Sequence, residues 1–96
     1  VATDTLDELW AVIEDRALHP KEGSYVCSLL THRKGIDKPL EKVGEEATEF
    51  VLAVKNGDPE RIASEAADLF FHILVALRAS GVDLADVLAE LDARRH

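Results

Sequence analysis

Residues 59–80 constrain the fold more than any other part of the chain. Asp58-Pro59 reads as an N-cap followed by the first helical position, and Gly81 as the stop, so a long helix spans the stretch between. Within it Ile62, Leu69, Phe70, Phe71, Ile73, Leu74, Val75 and Leu77 point in every direction around the axis. A helix that is apolar all round is buried, either in a core or in an interface between subunits. Glu65, Asp68 and His72 nevertheless fall on one narrow stripe of it, at i, i+3 and i+7. Carboxylates on a buried helix are costly unless something compensates them.

The rest of the chain reads as four more helices and no convincing strand. Thr5-Leu6-Asp7-Glu8 has capping-box spacing and opens a helix through Leu9, Trp10, Ile13 and Ala17 that ends near Leu18, because His19 precedes Pro20. Ser24 caps a second helix that carries Tyr25, Leu29 and Leu30 and stops before Gly35, with Arg33 and Lys34 in its last turn. Asp37 caps a third, whose stripe is Leu40, Val43, Ala47, Phe50, Val51 and Val54 and whose end is Asn56-Gly57. Asp83 caps a fifth, with Leu84, Val87, Leu88 and Leu91 on one side. Long helices with short connections predict an all-α fold: an antiparallel bundle of about five helices in a single domain covering residues 1–96. So short a chain buries a limited share of its surface, which favours pairing with a second copy.

Composition removes several function classes. Nineteen acidic side chains against eleven basic ones give a net charge of −8, which repels nucleic-acid backbones. A small anionic ligand remains compatible, because a bound cation reverses the local field. The lone Cys27 rules out an intrachain disulfide and a cysteine-rich zinc site, and its apolar neighbours suggest a buried thiol. No run is long enough to span a membrane and the N-terminus shows no signal-peptide pattern, so a cytoplasmic protein is expected.

The third helix supplies a second set of acids. Glu45, Glu46 and Glu49 crowd one stretch beside its apolar stripe, a spacing that weakens an isolated helix. If the third and fourth helices pack antiparallel, Glu46 and Glu49 face Glu65 and Asp68 across one groove. Four converging carboxylates either protonate in part or bind a cation, and oxygen donors suit Mg²⁺, Mn²⁺ or Ca²⁺ better than Zn²⁺. The chemistry expected is attack of water on a phosphoanhydride, with Glu45, Glu46 and Glu49 as the catalytic candidates and a carboxylate of the cluster as base. Arg33, Lys34, Lys38 and Lys42 flank the groove in sequence and are candidates for substrate phosphates.

Plainer readings compete. Paired glutamates are often only a solvated helix face, and a histidine like His72 is more often a hydrogen-bonded core or interface group than one that orients a carboxylate. Glu65 and Asp68 can be salt-bridged to Arg61 or Arg78. The basic cluster can be solvated loop charge, and Trp10 and Tyr25 are read as packing residues.

Glu45-Glu46 with Glu49, followed by Glu65 and Asp68, resembles the signature of the all-α nucleoside triphosphate pyrophosphohydrolases related to MazG. Ser24-Tyr25-Val26-Cys27-Ser28-Leu29-Leu30, Lys42-Val43-Gly44-Glu45-Glu46-Ala47, Lys55-Asn56-Gly57-Asp58 and Glu65-Ala66-Ala67-Asp68-Leu69-Phe70-Phe71-His72 bring the resemblance closer to the phosphoribosyl-ATP pyrophosphohydrolase family. The resemblance implies a MazG-like bundle completed by homodimerisation. It implies hydrolysis of phosphoribosyl-ATP to phosphoribosyl-AMP and pyrophosphate, the second step of histidine biosynthesis, with Mg²⁺ as cofactor. It also implies Glu46, Glu49, Glu65 and Asp68 as metal ligands, with Glu45 as ligand or base. Residues 33–39 depart from the family pattern. The Cys- and His-based chemistry of the cyclohydrolase to which some members are fused has no counterpart here, so the pyrophosphohydrolase step alone is expected. The nearest alternative is a related enzyme acting on noncanonical or deoxynucleoside triphosphates. A di-iron bundle fits less well, because it needs Glu-x-x-His pairs on two helices. An inert dimeric module is the alternative from outside enzymology.

Overall fold

The computed structural model describes residues 2–95, and among them there are five helices and no strand. They are α1 (Ala2–Leu18), α2 (Tyr25–Leu30), α3 (Asp37–Asn56), α4 (Pro59–Ser80) and α5 (Leu84–Ala93). The most extensive packing joins α3 to α4, which the two residues Gly57 and Asp58 connect into an antiparallel hairpin. Gly57 takes the left-handed conformation (φ 76°) and its N–H closes on the Ala53 and Val54 carbonyls. Asp58 then accepts Glu60 N–H through its side chain at 3.1 Å, with Pro59 in the first turn.

The apolar core lies to one side of this hairpin. Trp10 and Ile13 of α1, Val26 and Leu29 of α2, Leu74 and Val75 of α4 and Leu84 are buried together, with Leu6, Leu9, Leu30, Phe71, Leu77 and Leu88 packed around them. Only the C-terminal half of α4 enters that core. The N-terminal half, paired with α3, is left to present polar groups. Cys27 is buried, as its neighbours suggest, with its thiol donating to the Arg16 carbonyl.

Three boundaries differ from the sequence reading. α1 begins at Ala2, ahead of the capping-box residue Thr5. α2 ends at Leu30, so Arg33 and Lys34 lie in a turn and not in its last helical turn. The cause is local: Thr31 Oγ1 donates to the Cys27 carbonyl, and the His32 ring accepts the Lys34 N–H that another helical turn would have used. Asp37 is the first residue of α3 and not its cap; Ile36 holds the cap position without a side-chain bond. Within a single copy of the chain Phe70 is 57% and Ile73 39% exposed, so the core of one copy covers the apolar surface of α4 only in part.

Candidate metal and phosphate site

Antiparallel pairing sets the middle of α3 against the first half of α4. One carboxylate oxygen from each of Glu46, Glu49 and Glu65 then lies within 4.8 Å of the other two. Glu46 and Glu65 are each 8% exposed, whereas Glu49 is open to solvent. Glu46 Oε2 and Glu65 Oε2 are buried and have no hydrogen-bond partner. A buried acceptor left unpaired is expensive, more so when it carries charge. Burial pushes the Glu46 carboxyl above its ordinary range; so do the bond a protonated Glu46 can make to Glu49, the charge of Glu49 and that of Asp68, against the opposing pull of Lys42.

Two cations touch the group. Lys42 Nζ is 3.7 Å from Glu46 Oε1 and 3.0 Å from Glu45 Oε2. The hydrogen bond to Glu45 is the main reason the Lys42 ammonium is raised and the Glu45 carboxyl lowered from their usual values. Arg61 Nη2 is 3.3 Å from Glu65 Oε1. The salt bridge weighed from the sequence as a plainer role for Glu65 is thus formed, yet the Arg61 side chain is 64% exposed and the second Glu65 oxygen stays unpaired. An exposed pair of this kind is worth at most about 1 kcal/mol and does not account for the burial of the acid. Arg78 takes no part.

The remaining expected residues are placed differently. Glu45 lies outside the three-carboxylate group: adjacent to Glu46 in sequence, it sits about 100° around the helix and faces solvent and Lys42. Asp68 is exposed and also outside the group, although its charge is felt at Glu46. Lys34 is turned to Glu41 at 3.0 Å, and Arg33 lies exposed in the turn after α2. Lys38 is half-buried and acts on Glu45 through its charge. Of the four basic candidates, only Lys42 stands against the acids.

His72 is buried and does not orient a carboxylate. Its Nδ1 is 2.8 Å from the main-chain carbonyl of Asp68, which can only accept, so Nδ1 carries the proton. In the neutral ring Nε2 accepts from the Tyr25 hydroxyl at 3.1 Å. Tyr25, read from the sequence as packing, is 51% exposed and stacks on Phe71 at 6.0 Å while its hydroxyl ties α2 to α4. Arg61, which the sequence offers only as a salt-bridge partner, stands i, i+4 to Glu65 as Lys42 does to Glu46, a relation visible in the sequence.

Three carboxylates, joined by no nitrogen or sulfur donor among the described residues and with two of their oxygens buried and unpaired, fit a hard divalent cation. A strand-free bundle that presents such acids from one hairpin has the character of the MazG-like all-α pyrophosphohydrolases. Residues 6–95 match the family described as phosphoribosyl-ATP pyrophosphohydrolase, and the chain belongs to that family. It is 74% identical to the phosphoribosyl-ATP pyrophosphatase of Methanosphaerula palustris over 97% of this chain and 96% of that one. Identity is 71% to that of Methanoculleus marisnigri, covering 94% and 93%, and 51% to that of Haloarcula marismortui, covering 96% and 94%.

Proposed function

We propose that this chain, acting as one domain, hydrolyses phosphoribosyl-ATP to phosphoribosyl-AMP and pyrophosphate at the groove between α3 and α4, with Mg²⁺ held by Glu46, Glu49 and Glu65. Asp68, one turn beyond Glu65 and close enough to act on Glu46, is the fourth acid of the groove. The observation that carries the reading is the pair of buried, unpartnered oxygens on Glu46 and Glu65. The bound ion would supply charge neutralisation at the phosphates and a more acidic water. The chain's own groups do the rest. Glu46 and Glu65 are held by burial with one oxygen each free, so they need no rearrangement to accept a ligand. Glu49, the solvent-open member, is placed to pass the proton of the attacking water to bulk. Lys42 binds phosphate oxygens on its side of the acids and keeps Glu45 ionised. Water adds at phosphorus, the bridging P–O bond breaks, and the diphosphate departs with that oxygen.

The functional unit proposed is a homodimer. The accessible surface is 6644 Å², against about 5400 Å² for a compact monomer of this size. The radius of gyration is 14.3 Å, against about 12.5 Å. Val51, Leu52 and Val54 on α3 and Phe70 and Ile73 on α4 are the exposed apolar groups a second copy would cover. No helix among the described residues is long and apolar enough to cross a membrane. With its net charge of −8, the chain is proposed to work in the cytoplasm on a small nucleotide and not on nucleic acid.

Pyrophosphate release from phosphoribosyl-ATP tests the reaction. Activity should require Mg²⁺, vanish with chelator and return on adding the metal. Glu49→Gln and Glu65→Gln should each lower kcat/KM by more than about a hundredfold, since even groups that merely support a metal ligand cost about ten- to a hundredfold. Preference for free nucleoside triphosphates, or full activity in either variant, would overturn the proposal.

A further inference from the structure

Lys42 precedes Glu46, and Arg61 precedes Glu65, by the same four residues on helices that run in opposite directions. The two cations therefore stand at opposite ends of the carboxylate group: Lys42 toward His72, Arg61 toward the α3–α4 turn. On the Arg61 side lies a groove of about 470 Å³ lined by Glu49, Leu52, Ala53, Asn56, Asp58 and Arg61, and Glu49 is the one acid of the group that reaches it. Arg61 is its single cation. Asp58 is occupied in capping α4, so its carboxylate is directed at Glu60 N–H. Arg61 itself is held by one 3.3 Å contact to Glu65 Oε1 and remains 64% exposed.

We propose that Arg61 is a substrate-binding residue that takes a phosphate of the substrate in this groove, and that its contact with Glu65 is exchanged for that phosphate when the cation binds. The inference rests on Glu46, Glu49 and Glu65 holding Mg²⁺. A cation drawing on Glu65 removes the charge that holds Arg61, and leaves a planar, five-donor guanidinium at the edge of a groove that opens onto the reacting phosphates. Arg61 thus opposes metal binding in the free protein and favours phosphate binding in the loaded one. These two effects have opposite signs, which a role in folding does not produce.

Calorimetric titrations of Arg61→Gln and Arg61→Lys separate them. With Mg²⁺ alone, Arg61→Gln should bind the ion up to about fivefold more tightly, the scale of an exposed ion pair. With Mg²⁺ saturating, its affinity for inorganic pyrophosphate or for ribose 5-phosphate should fall about tenfold or more, and Arg61→Lys should recover part of the loss. Weakened pyrophosphate binding assigns the leaving diphosphate to Arg61, and weakened ribose 5-phosphate binding assigns the sugar phosphate. Unchanged affinity for both probes, or weaker Mg²⁺ binding in Arg61→Gln, would overturn the inference. Failure of the wild-type protein to bind Mg²⁺ would instead overturn the metal site on which it rests.

Discussion

Glu46 is a buried acid whose charged form weakens the folded chain. Its carboxyl is raised above the ordinary value of 4.5, first by burial and then by Glu49. A group whose folded pKa exceeds its unfolded one favours folding while protonated, and loses that contribution as pH climbs through the folded value. Glu46 should therefore contribute less to the stability of the metal-free protein at pH 7 than at pH 4, against the opposite contribution of Glu45, whose carboxyl is lowered. Glu46→Gln should flatten that dependence in chelator and be the more stable form at pH 7; urea melts at the two pH values check this, and parallel curves would contradict it. Tyr25 belongs to the same scale. Removing its hydroxyl in Tyr25→Phe leaves His72 Nε2 buried without a donor, at a cost of about 1–2 kcal/mol read from the urea midpoint.

At the level of elements, the ends that carry their own chemistry were legible and the others were not. Asp58-Pro59, Gly57, Gly81, Ser24 and Asp83 mark their termini because each supplies a capping oxygen, a fixed φ or a left-handed residue. The end of α2 depends on Thr31 and His32 bonding back to the main chain, a choice that periodicity does not encode. The same limit applied to the acids. Spacing puts Glu46, Glu49, Glu65 and Asp68 on facing stripes, but which carboxylates meet is decided by rotamer and by the local register of the hairpin, and the structure brings the first three together. Lys34 was drawn away by Glu41, a pairing across a turn that sequence distance hides. Asp58→Ala removes the α4 cap and should cost about 1 kcal/mol in thermal or urea unfolding. Pyrophosphate release should persist at temperatures where the variant is folded, since the Asp58 carboxylate is committed to its helix.

The whole molecule is built asymmetrically: α1, α2, α5 and half of α4 close a core, while the hairpin leaves apolar side chains on its outer surface. Phe70→Glu places a charge in the proposed dimer contact. It should shift the sedimentation coefficient from dimer toward monomer and lower thermal stability in a concentration-dependent way. A monomeric wild type at micromolar concentration would contradict the pairing. The two-residue α3–α4 link has one more consequence. Glu46, Glu49 and Glu65 lie within twenty consecutive positions, so the acids are brought together by the closure of a single local loop. Local closures of this kind form early and quickly in folding. The charge repulsion they create is therefore met at the start of the folding route, before the core of α1, α2 and α5 has condensed to hold it in check.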